Sequence, residues 1–490
     1  MKLQDKCQSK FEVQNLHFVL GATLCMFSII MSFYANSGPV QWGDNGRIIL
    51  EASSGMQVFE KISAEIHPLY QIVNYSIFSA CGSHCVPYFN SALSILVVAL
   101  TFSIIRNITG QTASSLYGAA AVSLSHSIFW ASTKVEVYTL HLTLILALLS
   151  ILIWMGKPSI SNSQKKIGMV GLGLISGLAL STHQLTLLLA LPFIPRLLQN
   201  YRILYIFIPC LLVGLTPIYI NLYWGMGNED SIFGALRALI FGAPCLGCGG
   251  AGMYDDKFFS FSTLLDNKPG IALLSSSFIS FALLGVLPVK RSNRVLFEMW
   301  CAALINLIFA LSYGVRDNFQ FFICGTALFT IIGAIRFFTY SEKFKVFKKF
   351  IPVMTLLPVL TLAPLSIGMT SGLIPHPINP TPVPMRSDAG YFLNPYIRDT
   401  SAMDFSNAFL SSLPYGAFVL DEYVTSTALR AASLHGINHE FNFVNCEQLK
   451  DIFNTDVFIP RPSVIMPCQE IIAAHTRSTV IGDVFMRTQH

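Results

Sequence analysis

The sequence predicts a polytopic α-helical membrane protein of about eleven transmembrane helices with a small C-terminal α/β soluble domain. Composition is the first reason: of 490 residues, 53% are hydrophobic and 12% charged, and the mean hydropathy is +0.57. That leaves too little polar surface to cover a water-soluble globule. The second reason is a series of apolar runs near 15–34, 90–106, 111–130, 137–155, 167–182, 184–195, 203–223, 271–288, 295–313, 318–336 and 350–373. Most are long enough for a hydrocarbon core of ~30 Å, the sixth being short. Thirdly, short strands and helices alternate towards the C-terminus. The organisation expected is a membrane domain over 1–373, a Pro-rich linker over 374–398 and an outer-side α/β domain over 399–490.

The first run is too long for a signal-peptide core and lacks a small-residue cleavage site, so it reads as a retained helix. Orientation follows from Lys and Arg, which stay cytoplasmic in short loops. With Lys2, Lys6 and Lys10 inside, the loops carrying Arg106, Lys157, Arg196, Lys290, Arg336 and Lys343 are inside too. An odd number of crossings then places 374–490 outside. Cys81/Cys85, Cys245/Cys248 and Cys446/Cys468 all fall on that side, where thiols can pair. Disulfides, a zinc site and free thiols remain open for these pairs, although no His lies near Cys245 and Cys248. Cys7, Cys25, Cys210, Cys301 and Cys324 are cytoplasmic or within helices. Asn74-Tyr75-Ser76 is an outer-side glycosylation sequon, usable in a eukaryotic host.

The first outer loop carries Trp42-Gly43-Asp44-Asn45-Gly46-Arg47 and ends in His67-Pro68-Leu69-Tyr70. Between them Ile48, Leu50, Met56, Phe59 and Ile62 recur at roughly helical spacing, which predicts interfacial helices roofing a cavity. Local chemistry by itself favours Asp44 as a turn or cap residue. At a membrane exit an acid on a Gly-rich turn is also where a base could meet a lipid-borne substrate. The next outer corner sets Lys134 and Glu136 among Phe129, Trp130 and Tyr138, either an interfacial ion pair in an aromatic belt or groups facing a water-filled cavity. His183 ends a Gly-rich run and by itself reads as an end-of-helix residue. The longest outer loop opens with Asp230-Ser231, a plausible N-cap for a helix bearing Arg237. Arg237 and, in the last short corner, Arg316 beside Asp317 are candidate phosphate contacts, because the guanidinium fork suits phosphate. The alternatives are a snorkelling Arg237 and a solvated Arg316 and Asp317 pair.

Ile374-Pro375 to Pro384 is a stiff polyproline-like stretch. Strands at 416–420, 441–444 and 457–459, with helices at 425–435 and 446–453 between them, predict parallel βαβ units. There is no Gly-rich phosphate loop and no basic stripe, so neither nucleotide nor nucleic acid is an expected partner.

Taken in order, these motifs resemble a family. An Asp-x-Gly loop, His67-Pro68-Leu69-Tyr70, Phe129-Trp130 followed by Glu136-Val137-Tyr138, a Gly-rich helix ending in His183, the Tyr313 to Asp317 corner and Leu413-Pro414-Tyr415-Gly416-Ala417 resemble the relatives of the endoplasmic-reticulum O-mannosyltransferase of plexin-type receptors. That family lies in the GT-C superfamily of polyprenyl-phosphate-dependent glycosyltransferases, and the resemblance covers roughly 15–320. It implies a GT-C-like fold and makes Asp44 the catalytic acid of the first loop. It implies Glu136, Tyr138 and His183 as cavity residues, and the substrate-binding set expected around them adds Arg47, Glu51, His67, Tyr70, Asp230, Arg237, Arg316 and Asp317. Arg47 stands where the family usually has Glu, with Glu51 a stand-in for a second acid. The His67 segment is also shorter than the family's usual one.

The implied activity is an inverting transfer of a sugar such as mannose from a polyprenyl-phosphate donor to an acceptor hydroxyl, on a protein Ser/Thr or a glycan. No metal ligand and no cofactor is assigned, and a divalent-metal requirement stays open. The expected setting is the bilayer of a bacterial inner membrane with a periplasmic C-terminus, or of the endoplasmic reticulum with a lumenal one. A transporter or lipid flippase is the alternative; acids gathered at outer helix ends and the lack of an internal repeat favour the enzyme. The tail is expected either to sit over the outer mouth of the cavity and help present the acceptor or to be a passive folding cap on the membrane domain, stapled by a Cys446–Cys468 disulfide closing a loop of about 22 residues.

Overall fold

The computed structural model describes residues 2–199, 201–228, 231–241, 267–313, 317–375, 383–436, 440–448, 456–460, 477–481 and 485–489. Its first half is helical: α1 (Lys2–Tyr34), α2 (Gly43–Ser54), α3 (Pro68–Cys81), α4 (Cys85–Thr109), α5 (Thr112–Leu124), α6 (His126–Thr133), α7 (Tyr138–Met155) and α8 (Asn162–Thr182). Local chemistry sets the ends. Pro68 opens α3, Gly110 closes α4 at φ +74°, and Ser161 with Gln164 forms a capping box on α8.

Among the described residues six helices are long and apolar enough to cross a membrane: Asn15–Tyr34, Cys85–Thr109, Tyr138–Met155, Arg294–Ser312, Asn318–Lys343 and Val346–Thr370. Leu185–Leu198 with Tyr201–Gly214 makes a seventh if that bent pair counts as one span. The expected run 111–130 is broken instead at Ser125, whose backbone is extended (φ −60°, ψ 137°) and starts α6. The run 203–223 divides into Leu204–Gly214 and Thr216–Gly225, with Pro217 in the first turn of the second piece. The run 271–288 divides around Ser280, which takes φ +93°. Eleven therefore overstates the unbroken spans among the described residues, because composition over a window of ~20 residues does not register a one-residue break.

Leu16, Val19, Met26 and Ile30 of α1, like Leu360 and Ile367 near the other end of the chain, are exposed, as suits a lipid-facing surface. Inside, small residues allow close approach. A Cβ on Gly177 of α8 would lie 2.4 Å from the Leu211 carbonyl oxygen.

In the tail, β1 (Ala417–Leu420), β2 (Phe441–Val444), β3 (Val457–Ile459), β4 (Arg477–Ile481) and β5 (Phe485–Gln489) form one sheet in the order β2-β1-β3-β5-β4. β1 is parallel to β2 and β3, as the spacing predicts. β4 and β5 add an antiparallel edge that the sequence reading did not contain. The helix Tyr423–Leu434 links β1 to β2; residues 449–453 of the second expected helix lie outside the described residues.

The tail shares the main core. Phe405, Phe409, Ala428 and Leu429 are buried in one cluster with Trp42, Ile48, Ile49 and Trp130. Within the expected linker, Asp388–Leu393 is helical. The His126 ring nitrogen Nε2 lies 2.6 Å from the Phe392 carbonyl oxygen, and Trp130 Nε1 donates to the Tyr391 carbonyl at 3.0 Å. Burying that helix satisfies donors that α6 would otherwise leave unpaired.

Cys81 and Cys85 form a disulfide with Cα atoms 6.0 Å apart. Cys446 is disulfide-bonded; Cys468, Cys245 and Cys248 lie outside the described residues. The sequon reading of Asn74 is corrected: its side chain is wholly buried on α3, where no glycan fits.

Candidate active site

The loop leaving α1 is tied down before it reaches Asp44. Asn36 Nδ2 donates to the Pro87 carbonyl and to Ser91 Oγ, both at 2.9 Å, and Gln41 Oε1 accepts from the Val135 amide at 3.1 Å. Trp42 Nε1 donates to Ser401 Oγ of the tail at 2.9 Å. Gly43 then takes φ +53°, a conformation that favours glycine, and turns the chain into α2. Asp44 thus lies in the first turn, where an acid complements the helix dipole.

Gly46 permits this turn, because a Cβ there would lie 2.4 Å from the Gln41 carbonyl oxygen and 3.2 Å from Thr427 Cβ. Gly46→Val is expected to destabilise the chain by about 1–3 kcal/mol through overpacking. Thermal unfolding of the detergent-solubilised chain checks it; an unchanged midpoint would contradict this packing.

Arg47 stands among three acids. Its guanidinium reaches Asp44 Oδ1 at 3.4 Å, Glu51 Oε1 at 2.9 Å and Glu65 Oε2 at 3.4 Å. Burial alone would lower its pKa, but the surrounding acids raise it above the ordinary value and keep it charged. Glu51 also accepts from Gln71 Nε2, and burial pushes its carboxyl up. Asp44 is the open member, with 57% of its side chain exposed against 16% for Glu51. The hydroxyl of Tyr423 donates to Asp44 Oδ1 from across the tail.

Behind this cluster Glu136 is buried. Its carboxyl is pushed well above the usual range by burial, and the charges of Asp44 and Asp317 act in the same direction. The neighbouring backbone is fixed by Asn90, whose Nδ2 donates to the carbonyls of Lys134 and Glu136 at 2.7 and 2.6 Å. Asn90 Oδ1 in turn accepts from Tyr70, a fully buried phenol on α3. Lys134 does not pair with Glu136. Its ammonium reaches Ser37, Asp399 at 3.5 Å and the face of Tyr391 at 4.6 Å.

His183 caps α8, with its ring 5.2 Å from His67, 5.4 Å from Tyr138 and 5.3 Å from His141. Burial lowers His183 to about 4, and burial with His183 and Arg47 lowers His67, so both rings are neutral at pH 7. Among the described residues no group of three or more His, Cys, Asp or Glu is placed to hold a metal ion.

The structure thus brings together Asp44, Arg47 and Glu51 as one cluster, with Glu136 behind it under the charges of Asp44, Asp317 and Arg47. His67, Tyr138 and His183 form a second group, and Tyr70 supports the backbone between them. Arg237 is exposed on a helix whose Ala235, Ala238 and Leu239 are buried with Ile62. Asp230 and Arg316 lie outside the described residues. Sequence reasoning missed Glu65, Gln71, Asn90, His141, Asp399 and Tyr423. Of these, Glu65 and Gln71 carried a signal, being polar positions in the same loop and on the helix that follows it.

Residues 58–203 match the model of the protein O-mannosyl-transferase TMEM260 N-terminal domain family. ArnT from Cupriavidus metallidurans is similar over nearly the whole chain. In the apo state the TM-score is 0.55 at 11% identity, covering 96% of this chain and 97% of ArnT. Bound to undecaprenyl phosphate, ArnT gives 0.52 at 10% identity, covering 95% and 97%. No curated protein matches the sequence.

Fold and family model together define the class: the chain is a multi-pass membrane protein with the fold of the GT-C glycosyltransferase ArnT, and about a third of it matches a protein O-mannosyl-transferase family model. The segment 58–203 that matches the TMEM260 N-terminal domain model contains His67, Tyr70, Glu136, Tyr138 and His183. Asp44 precedes the matched segment.

Proposed function

We propose that the chain transfers mannose from a polyprenyl-phosphate donor to a Ser or Thr hydroxyl of a protein on the outer face, with inversion at the sugar. The observation that carries the reading is Asp44, a half-exposed carboxylate fixed at a helix start by Arg47. The O-mannosyl-transferase family match and the undecaprenyl phosphate held by ArnT support the donor class.

In this reading the acceptor oxygen attacks the anomeric carbon while its proton passes to Asp44. The bond from that carbon to the phosphate oxygen breaks, and its electron pair leaves on the polyprenyl phosphate. Arg47 keeps Asp44 oriented. Arg237 and Arg316 are the proposed contacts for the departing phosphate. Neutral His67 and His183, with Tyr138, would bind the sugar by stacking and hydrogen bonding without adding charge. The Cys81–Cys85 disulfide supports an oxidising compartment, the periplasm or the lumen of the endoplasmic reticulum, on the side of the active site and tail.

The test is to incubate the purified full chain with a panel of labelled polyprenyl-phosphate sugars and an outer-face protein fraction. Covalent label on protein hydroxyls, greatest with mannose, is the expected result. Donor flux across proteoliposomes with no covalent product would overturn the reading in favour of a transporter.

A further inference from the structure

We infer that Tyr423 is a stand-in for the acceptor: in the resting protein its phenol O–H occupies the place from which an acceptor hydroxyl gives its proton to Asp44, and the acceptor displaces it. The inference rests on Asp44 being the base.

Tyr423 donates to Oδ1 of Asp44, the same carboxylate oxygen that Arg47 approaches at 3.4 Å. An oxygen donating to the base is the arrangement that proton removal from a Ser or Thr acceptor requires. The tail helix Tyr423–Leu434 places it there by packing on α2: Thr427 lies against Gly46, and the Tyr423 ring lies over the Gly43 turn. Tyr423 is 49% exposed, which leaves its side chain room to rotate off the carboxylate without movement of the helix. Burial and the charge of Asp44 raise the phenol above its ordinary pKa, so it remains a donor at neutral pH.

The consequence is chemical. A base left open to solvent can take a proton from water, whose oxygen then bonds to the anomeric carbon as the bond to the phosphate oxygen breaks. The products are free mannose and polyprenyl phosphate, and the donor is wasted. Asp44 is 57% exposed, so the phenol does not shut water out; it occupies the accepting position on Oδ1, beside Arg47, and water has to compete for that oxygen until an acceptor hydroxyl takes the place of the phenol.

The experiment measures release of free mannose from tritiated polyprenyl-phosphate mannose by the purified full chain with no acceptor present. Tyr423→Phe keeps the ring and removes the hydroxyl, and release is expected to rise about five-fold, the loss of one competing hydrogen bond. Asp44→Asn combined with Tyr423→Phe should show no rise. A Tyr423→Phe rate at or below that of the unmodified chain overturns the inference. So does a rise that persists without Asp44, or mannose covalently attached to Tyr423, which would make the phenol itself an acceptor. A purely structural role would lower the thermal midpoint and the release together. The base assignment fails separately, by Asp44→Asn retaining transfer to protein hydroxyls.

Discussion

Asp44→Asn is expected to lower mannosyl transfer by about 10²–10⁴-fold, the range supplied by one positioned general base, with the protein still folded. An amide has the carboxylate's shape and can accept from Tyr423, but it cannot take the acceptor's proton. The folded state should tolerate the change because Arg47 keeps Glu51 at 2.9 Å and Glu65 at 3.4 Å after losing Asp44. Asp44 is also mostly in water, where one ion pair contributes little, on the order of 0–1 kcal/mol. The measurement is the initial rate of label transfer at equal amounts of folded protein, beside a thermal unfolding curve. A rate within about three-fold of the unmodified chain would be too small a loss for a general base and would remove Asp44 from the chemistry. Asp44→Glu is informative as well, since a longer acid restores the proton acceptor but displaces it.

Much of the membrane part is legible in the sequence, because bilayer thickness and the cost of unpaired backbone groups impose long apolar helices. Cys85–Thr109 and Tyr138–Met155 follow directly from such runs. The breaks at Ser125 and Leu215 do not, because tertiary packing settles them. In the site, Asp44, Arg47 and Glu51 have helical spacing and share one face of α2, so their grouping follows from local periodicity. The meeting of His67, Tyr138 and His183 follows only from motif order, since no local rule brings three separate helix ends together. The contacts of Tyr423 with Asp44 and of Asp399 with Lys134 join residues hundreds of positions apart. A single sequence carries no periodic trace of such pairs. Expecting a Pro-rich linker also hides the role of 388–399, where Tyr391, Phe392 and Tyr396 are core residues.

Asp399→Asn is expected to cost about 3–5 kcal/mol, the penalty for leaving a buried charge without its partner. Lys134 is 3% exposed and its ammonium has one acid nearby, Asp399 at 3.5 Å. Ser37 and the Tyr391 ring remain after the substitution, but neither carries a compensating charge. Burial already lowers the Lys134 pKa and Asp399 opposes that shift, so removing the acid lowers it further. The sign follows by linkage: a base with a depressed folded pKa binds fewer protons folded than unfolded, so stability rises with pH between the two values. The loss should therefore be largest at neutral pH and shrink as the pH approaches the ordinary lysine value of 10.5. Lys134→Met combined with Asp399→Asn should recover much of it, because no unpaired ammonium then remains. Transfer should fall together with stability, since Asp399 also accepts from Ser401, whose hydroxyl accepts from Trp42 two residues before Asp44. Thermal unfolding at pH 7 and pH 9.5 checks this. An Asp399→Asn midpoint equal to that of the unmodified chain at pH 7, or a double variant no more stable than the single, would show that this pair does not fasten the tail to the catalytic loop.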